Sequence, residues 1–128
     1  MTRERLNWLG GEILDACITV HREMGPGLLE SVYVLALRKE LELRGIKSRM
    51  KVPIPLVYKG YDINKHYEID LLVEEEIIIE AKAVETMHPI YDAQIISYLK
   101  LADKRLGYLI NFNVIRLKDG FRRFINKF

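Results

Sequence analysis

The sequence predicts an α/β fold, a mixed sheet flanked by helices. Three observations predict it. Apolar residues recur at three- and four-residue steps up to about Arg44. The period then changes to two over residues 48–58, 66–73 and 76–83. A further helical segment separates these strands from a short apolar strand at Gly107–Asn111. The order is therefore α-α-β-β-β-α-β, followed by a basic tail.

Each element has a local reason. Residues 4–24 place Leu6, Leu9, Ile13, Cys17 and Val20 on one helical face, and Gly25-Pro26-Gly27 stops the helix. Residues 28–44 carry a wide apolar stripe of Leu28, Leu29, Val32, Leu35, Ala36 and Leu43, with Gly45 as the C′ residue. Strand 48–58 alternates Val52, Ile54, Leu56 and Tyr58 with Lys51, Pro53, Pro55 and Val57. Two prolines cannot donate to a ladder, so this strand belongs at a sheet edge. Lys59-Gly60 reads as a turn. Strands 66–73 and 76–83 form a hairpin around Glu75. Alternation in the first puts Ile69, Leu71 and Val73 on one face and Glu68, Asp70 and Leu72 on the other. Pro89 suits the first position of a third helix that runs to about Asp103. Lys118-Asp119-Gly120 is a turn before a last strand at Phe121–Ile125.

Composition narrows the class. The chain has 128 residues, 49% apolar and 30% charged, as expected of one globular domain spanning residues 1–128. No apolar run reaches the ~18–20 residues that cross a bilayer. The single cysteine, Cys17, rules out an internal disulfide framework and lies on the apolar stripe of the first helix as a core residue. A reducing, cytoplasmic setting is the simplest reading. His21, His66 and His88 are scattered, which argues against zinc, and His88 is placed to cap or flank the third helix. No Ser-His-Asp arrangement is visible. Gly25-Pro26-Gly27 follows a helix rather than a strand, so it is a connection and not a phosphate cradle. Trp8 is expected to pack. The net charge is only +2, but it is unevenly spread. Glu68, Asp70, Glu74, Glu75, Glu76 and Glu80 crowd the middle, whereas from Arg105 onward six cationic side chains face Asp119 alone. Such a tail either grips phosphates or is solvated surface.

The acidic middle carries the chemistry. A hairpin turning at Glu75 puts Asp70 and Glu80 nearly opposite each other, and Glu80 and Lys82 share a face with Ile78. Opposed like charges destabilise a sheet. Lys82 or a divalent cation could offset the repulsion. Two carboxylates with room for water suit Mg²⁺ or Mn²⁺, and a lysine on the same strand face could orient a water and stabilise developing negative charge. The competing reading is a surface hairpin with an ordinary Glu80–Lys82 pair. Gln94 and Tyr98 are four apart on the third helix and face one side. Both can reach a phosphate. Glu30 sits in the first turn of the second helix, where a carboxylate meets the helix dipole favourably.

Gly27-Leu28-Leu29-Glu30-Ser31-Val32-Tyr33 resembles the signature of the GxxExxY proteins, placed within the PD-(D/E)XK nuclease superfamily. Asp70, then Glu80-Ala81-Lys82, then Gln94 through Tyr98 resemble in order the metal aspartate, the E-x-K motif and the Q-x-x-x-Y helix of its RecB-like nucleases. The resemblance runs from about His21 to Asn126. It implies a restriction-endonuclease-like α-β-β-β-α-β core with an extra N-terminal helix. It also implies metal-dependent phosphodiester hydrolysis of nucleic acid, with DNA the first substrate class. By position, Glu30, Asp70 and Glu80 would serve the metal, Mg²⁺ or Mn²⁺. Lys82 would position or activate the water, and Gln94 and Tyr98 would shape the site and contact the nucleic-acid backbone. Tyr33 either orders the Glu30 carboxylate or is core. A non-catalytic nucleic-acid- or protein-binding module on the same fold is the alternative, and a scaffold with a merely soluble hairpin is a third reading. A homodimer is compatible with a small nuclease that cuts two strands.

Overall fold

A computed structural model describes residues 1–128 and shows a five-stranded sheet with helices on both faces. In chain order the elements are α1 (Arg3–Met24), α2 (Glu30–Leu43), β1 (Ser48–Tyr58), β2 (Tyr61–Val73), β3 (Ile77–Lys82), α3 (Pro89–Leu101), β4 (Leu106–Asn111) and β5 (Phe121–Ile125), with one 3₁₀ turn at Leu117–Gly120. The strands lie in sequence order, β1-β2-β3-β4-β5. All neighbours are antiparallel except β3 and β4, which are parallel and joined through α3. This is the mixed α/β architecture expected of a restriction-endonuclease-like fold. No helix is long and apolar enough to cross a membrane.

Two cores form, one on each face. Leu6, Leu9, Ile13 and Cys17 of α1 and Tyr33, Leu37 and Leu41 of α2 pack against Leu71, Ile79 and Tyr108 of the sheet. Ile95, Tyr98 and Leu99 of α3 pack against Ile69, Leu72, Ile78 and Leu109 on the other side. Cys17 is a buried free thiol, and burial pushes its pKa up. Trp8 departs from expectation. It is half exposed under the Arg5 guanidinium, 4.4 Å from the ring centroid, because its position on α1 falls outside the buried stripe.

Turn chemistry fixes the helix starts and the hairpins. Thr2 caps α1 by accepting the Arg5 N–H, and His88 caps α3 by accepting the Ile90 N–H. Gly45 ends α2 in the left-handed region, with the Ile46 N–H donating to the Leu41 carbonyl. Tyr33 is core, stacked on Phe112 with ring centroids 4.6 Å apart. Its hydroxyl donates to the Gly25 carbonyl at 2.6 Å and accepts the Leu28 N–H at 3.1 Å. It therefore pins the Gly25–Leu28 loop and fixes where α2 begins, at Glu30.

Pro53 and Pro55 do lie on an edge strand, as their missing N–H groups require. Lys59 and Gly60 both have positive φ, 49° and 82°, giving the I′-type turn whose twist suits a hairpin. This turn extends β2 back to Tyr61, further than the period-two pattern reaches. Residues 61–68 are exposed throughout, so no buried alternation marks them in the sequence.

The β1–β2 ribbon changes face at one rung. Met50 and Leu71 are cross-strand partners on the α2 side, whereas Val52 and Ile69, the next backbone-paired residues along the ladder, lie on the α3 side. The rung between them holds Lys51 and Asp70. Lys51 has φ 54°, which redirects the strand. The expectation that Ile69 shares a face with Leu71 and Val73 is therefore corrected: Ile69 joins Leu72 and Ile78 under α3. Regular alternation fails where one residue leaves the β region.

Replacing Tyr33 by Phe keeps the stack on Phe112 but leaves the Leu28 N–H and the Gly25 carbonyl without their partner. Urea unfolding should show a loss of about 1–3 kcal/mol. An unchanged midpoint would mean that the hydroxyl does not hold the loop.

Candidate active site

The β2–β3 ladder pairs Val73 with Ile77, Leu72 with Ile78 and Leu71 with Ile79. The next pair in this register is Asp70 and Glu80, and there side chains take over from backbone pairing. The Ala81 N–H donates to Asp70 Oδ2 at 2.8 Å, and the Asp70 N–H donates to Glu80 Oε1 at 3.2 Å. Each carboxylate is thus tied to the strand opposite its own. The hairpin that sets this register turns through Glu74 and Glu75, both left-handed. Arg49 grips the Glu75 carboxylate at 2.7 and 2.8 Å, the Lys104 ammonium donates to the Glu75 carbonyl, and the Lys47 N–H donates to the Glu74 carboxylate.

Lys82 follows two residues after Glu80, at the end of β3. Its ammonium lies 4.5 Å from the centroid of the Tyr91 ring. Asn111, its partner on β4, is buried and bonds to Val84 through both ends of its amide, which fixes the chain just beyond Lys82. Tyr98 is buried on α3 with its ring 5.3 Å from that of Tyr67. Gln94 lies one turn earlier on the exposed side of α3, and its side chain makes no hydrogen bond within the chain. Glu30, the first residue of α2, is half-buried within electrostatic reach of Lys82 and Asp70.

Burial dominates the electrostatics. Glu80 is 7% exposed, and desolvation together with the Asp70 charge pushes its pKa up to about 9. Burial also raises Asp70, although the Ala81 N–H and Lys82 pull the other way. Glu30 is raised by burial and by Asp70 against the pull of Lys82. Burial and the Glu80 charge raise Tyr98. A buried and a part-buried carboxylate side by side, with Lys82 the cation nearest them, form a donor set that fits a hard divalent cation. No three acidic, histidine or cysteine side chains gather closely enough to hold a metal by themselves, so Glu30 stands outside the Asp70–Glu80 pair.

The structure adds residues that the sequence reading missed. Tyr91 holds the Lys82 ammonium. Its signal was its spacing, three before Gln94 and seven before Tyr98 on one helical face. Tyr67 meets Tyr98 from the ribbon, and Asn111 braces the end of β3; neither position has a spacing signal. The basic tail does not gather at the carboxylates. Arg122 bridges to Asp92 at 2.9 Å, and Arg123 donates to Asn7 and lies over the Phe128 ring.

A family model of the PD-(D/E)XK nuclease superfamily matches residues 7–124, and the chain belongs to that superfamily. Membership points to nuclease chemistry on nucleic acid and to a divalent metal ion as cofactor. Within it, the GxxExxY likeness rests on Gly27, Glu30 and Tyr33. No curated protein and no solved structure matches the chain significantly.

The raised Glu80 pKa makes the metal-free protein pH-sensitive. The native state keeps a proton that the unfolded chain releases above the ordinary carboxyl range. Stability should therefore fall as pH rises from about 5 towards about 9. In chelator, the melting temperature should drop by several degrees between pH 5 and pH 8, and Glu80→Gln should flatten that slope. A Glu80→Gln profile parallel to wild type would place the titration elsewhere.

Proposed function

We propose that this protein is a Mg²⁺- or Mn²⁺-dependent nuclease that hydrolyses phosphodiester bonds, with DNA as its substrate class. The observation that carries this reading is the pairing of part-buried Asp70 with buried Glu80 at the point where β2 and β3 part, with Lys82 two residues on. Asp70 and Glu80 would hold the cation, with Glu30 joining through water. A divalent ion bound there polarises a phosphoryl oxygen and acidifies a bound water.

The remaining work falls to side chains. The N–H groups of Asp70 and Ala81 hold the two carboxylates in place, so little reorganisation accompanies substrate binding. Lys82, steadied over the Tyr91 ring, orients the attacking water and stabilises negative charge on the phosphate oxygens. Tyr98 closes the α3 side of the site, and exposed Gln94 contacts the nucleic-acid backbone. A cytoplasmic setting accords with the buried free thiol of Cys17. A homodimer would bring two such sites to one duplex. Its interface would avoid the β1 edge, where Pro53 and Pro55 offer no N–H.

A binding module on the same fold is the second reading, favoured by the absence of a three-ligand cluster. Cleavage of a mixed panel of DNA and RNA substrates in Mg²⁺ and Mn²⁺ separates the two. The nuclease reading expects metal-dependent cutting that falls to background in Asp70→Asn. In Lys82→Ala it expects a loss of about 10²–10³-fold, with circular dichroism unchanged. Cutting that survives Asp70→Asn would refute it. Nucleic-acid binding that is insensitive to chelator, with no cutting, would establish the module.

A further inference from the structure

We propose that the groove between α2 and β1 seats the nucleic-acid strand beside the scissile bond, and that Lys51 grips a phosphate of that strand. The inference rests on the nuclease reading and extends it to how substrate is held.

The groove has a volume of about 580 Å³. Glu30 and Asp70 stand in its wall, so it opens directly onto the candidate acidic residues. Leu29, Leu35 and Met50 supply an apolar side; Leu29 is 74% and Leu35 55% exposed. Exposed leucines beside carboxylates suit a ligand that is flat and apolar on one side and anionic on the other, as a nucleotide is. Two acidic groups in the wall would repel such a ligand unless a cation faces it from the same groove. Lys51 is that cation. Its side chain is exposed and makes neither an ion pair nor a hydrogen bond, although Glu30 and Asp70 line the same groove.

Lys51 also occupies its place at a cost. Its φ of 54° lies where a non-glycine residue is disfavoured. Glycine or asparagine would make the face change at this rung with less strain. The Lys51 ammonium has no partner within the chain to offset that strain. A phosphate in the groove would supply the missing partner.

The test is fluorescence anisotropy with short fluorescein-labelled single-stranded DNA, duplex DNA and RNA. Ca²⁺ replaces Mg²⁺, and binding is read over a salt series for wild type, Lys51→Gly and Lys51→Arg. Wild type should bind at least one probe. Lys51→Gly should weaken that binding about 3–10-fold and lower the salt slope by about 0.7–0.9, the effect of one phosphate contact. Its melting temperature should stay level or rise, because glycine relieves the left-handed residue. Lys51→Arg should retain most of the affinity. Equal affinity and slope in wild type and Lys51→Gly would overturn the inference alone. So would a binding loss that tracks a fall in melting temperature and is not restored by arginine, because that marks a structural role. Failure of wild type to bind any probe would overturn the inference and the nuclease reading together.

Discussion

Two carboxylates face each other where β2 stops pairing with β3, and much of the structure serves to keep them there. Two carboxylates at one rung of a sheet would oppose folding if both were charged. Here each is anchored by an N–H of the opposite strand, and Lys82 lies close enough to lower both pKa values against the larger effect of burial. The arrangement leaves the metal-free protein holding a proton on the pair near neutral pH. A divalent cation could replace that proton and use the same oxygens. On the proposed reading, stability and chemistry meet at one place.

The surrounding elements supply position. The Glu74–Glu75 turn sets the register that opposes Asp70 to Glu80, and Lys47 and Arg49 at the start of β1 and Lys104 after α3 hold that turn. Tyr33 ties down the loop that starts α2 and so fixes Glu30. Asn111 braces the chain after Lys82. Tyr33, Asn111 and Lys104 act on backbone groups, whereas Arg49 and the Lys47 N–H hold the turn through the Glu75 and Glu74 carboxylates.

Much of this was legible in the sequence because it follows from local rules. Pro53 and Pro55 place β1 at an edge through their missing N–H groups. A turn at Glu75 opposes Asp70 to Glu80 by counting alone. His88 before Pro89 marks the start of α3, and Gly45 the end of α2. The unread features depend on tertiary context. Nothing in Arg49-Met50-Lys51-Val52 announces a left-handed lysine, so the face change of Ile69 was not foreseen. The outer ribbon, residues 61–65, is exposed throughout and carries no buried period. Tyr91 meets Lys82 only because α3 crosses back over the end of β3, and the tail arginines turn out to be engaged with Asp92, Asn7 and Phe128.

The central claim is that Asp70 and Glu80 share a proton-bearing site that a divalent cation takes over. The most direct measurement is calorimetric titration of Mn²⁺ near pH 7.5 in two buffers of different ionisation enthalpy, on wild type and Glu80→Gln. The account predicts Mn²⁺ binding with release of about one proton, because a cation ligand must be deprotonated, and loss of both in the variant. Mn²⁺ binding without proton release and unchanged in Glu80→Gln, or no binding by wild type, would contradict it.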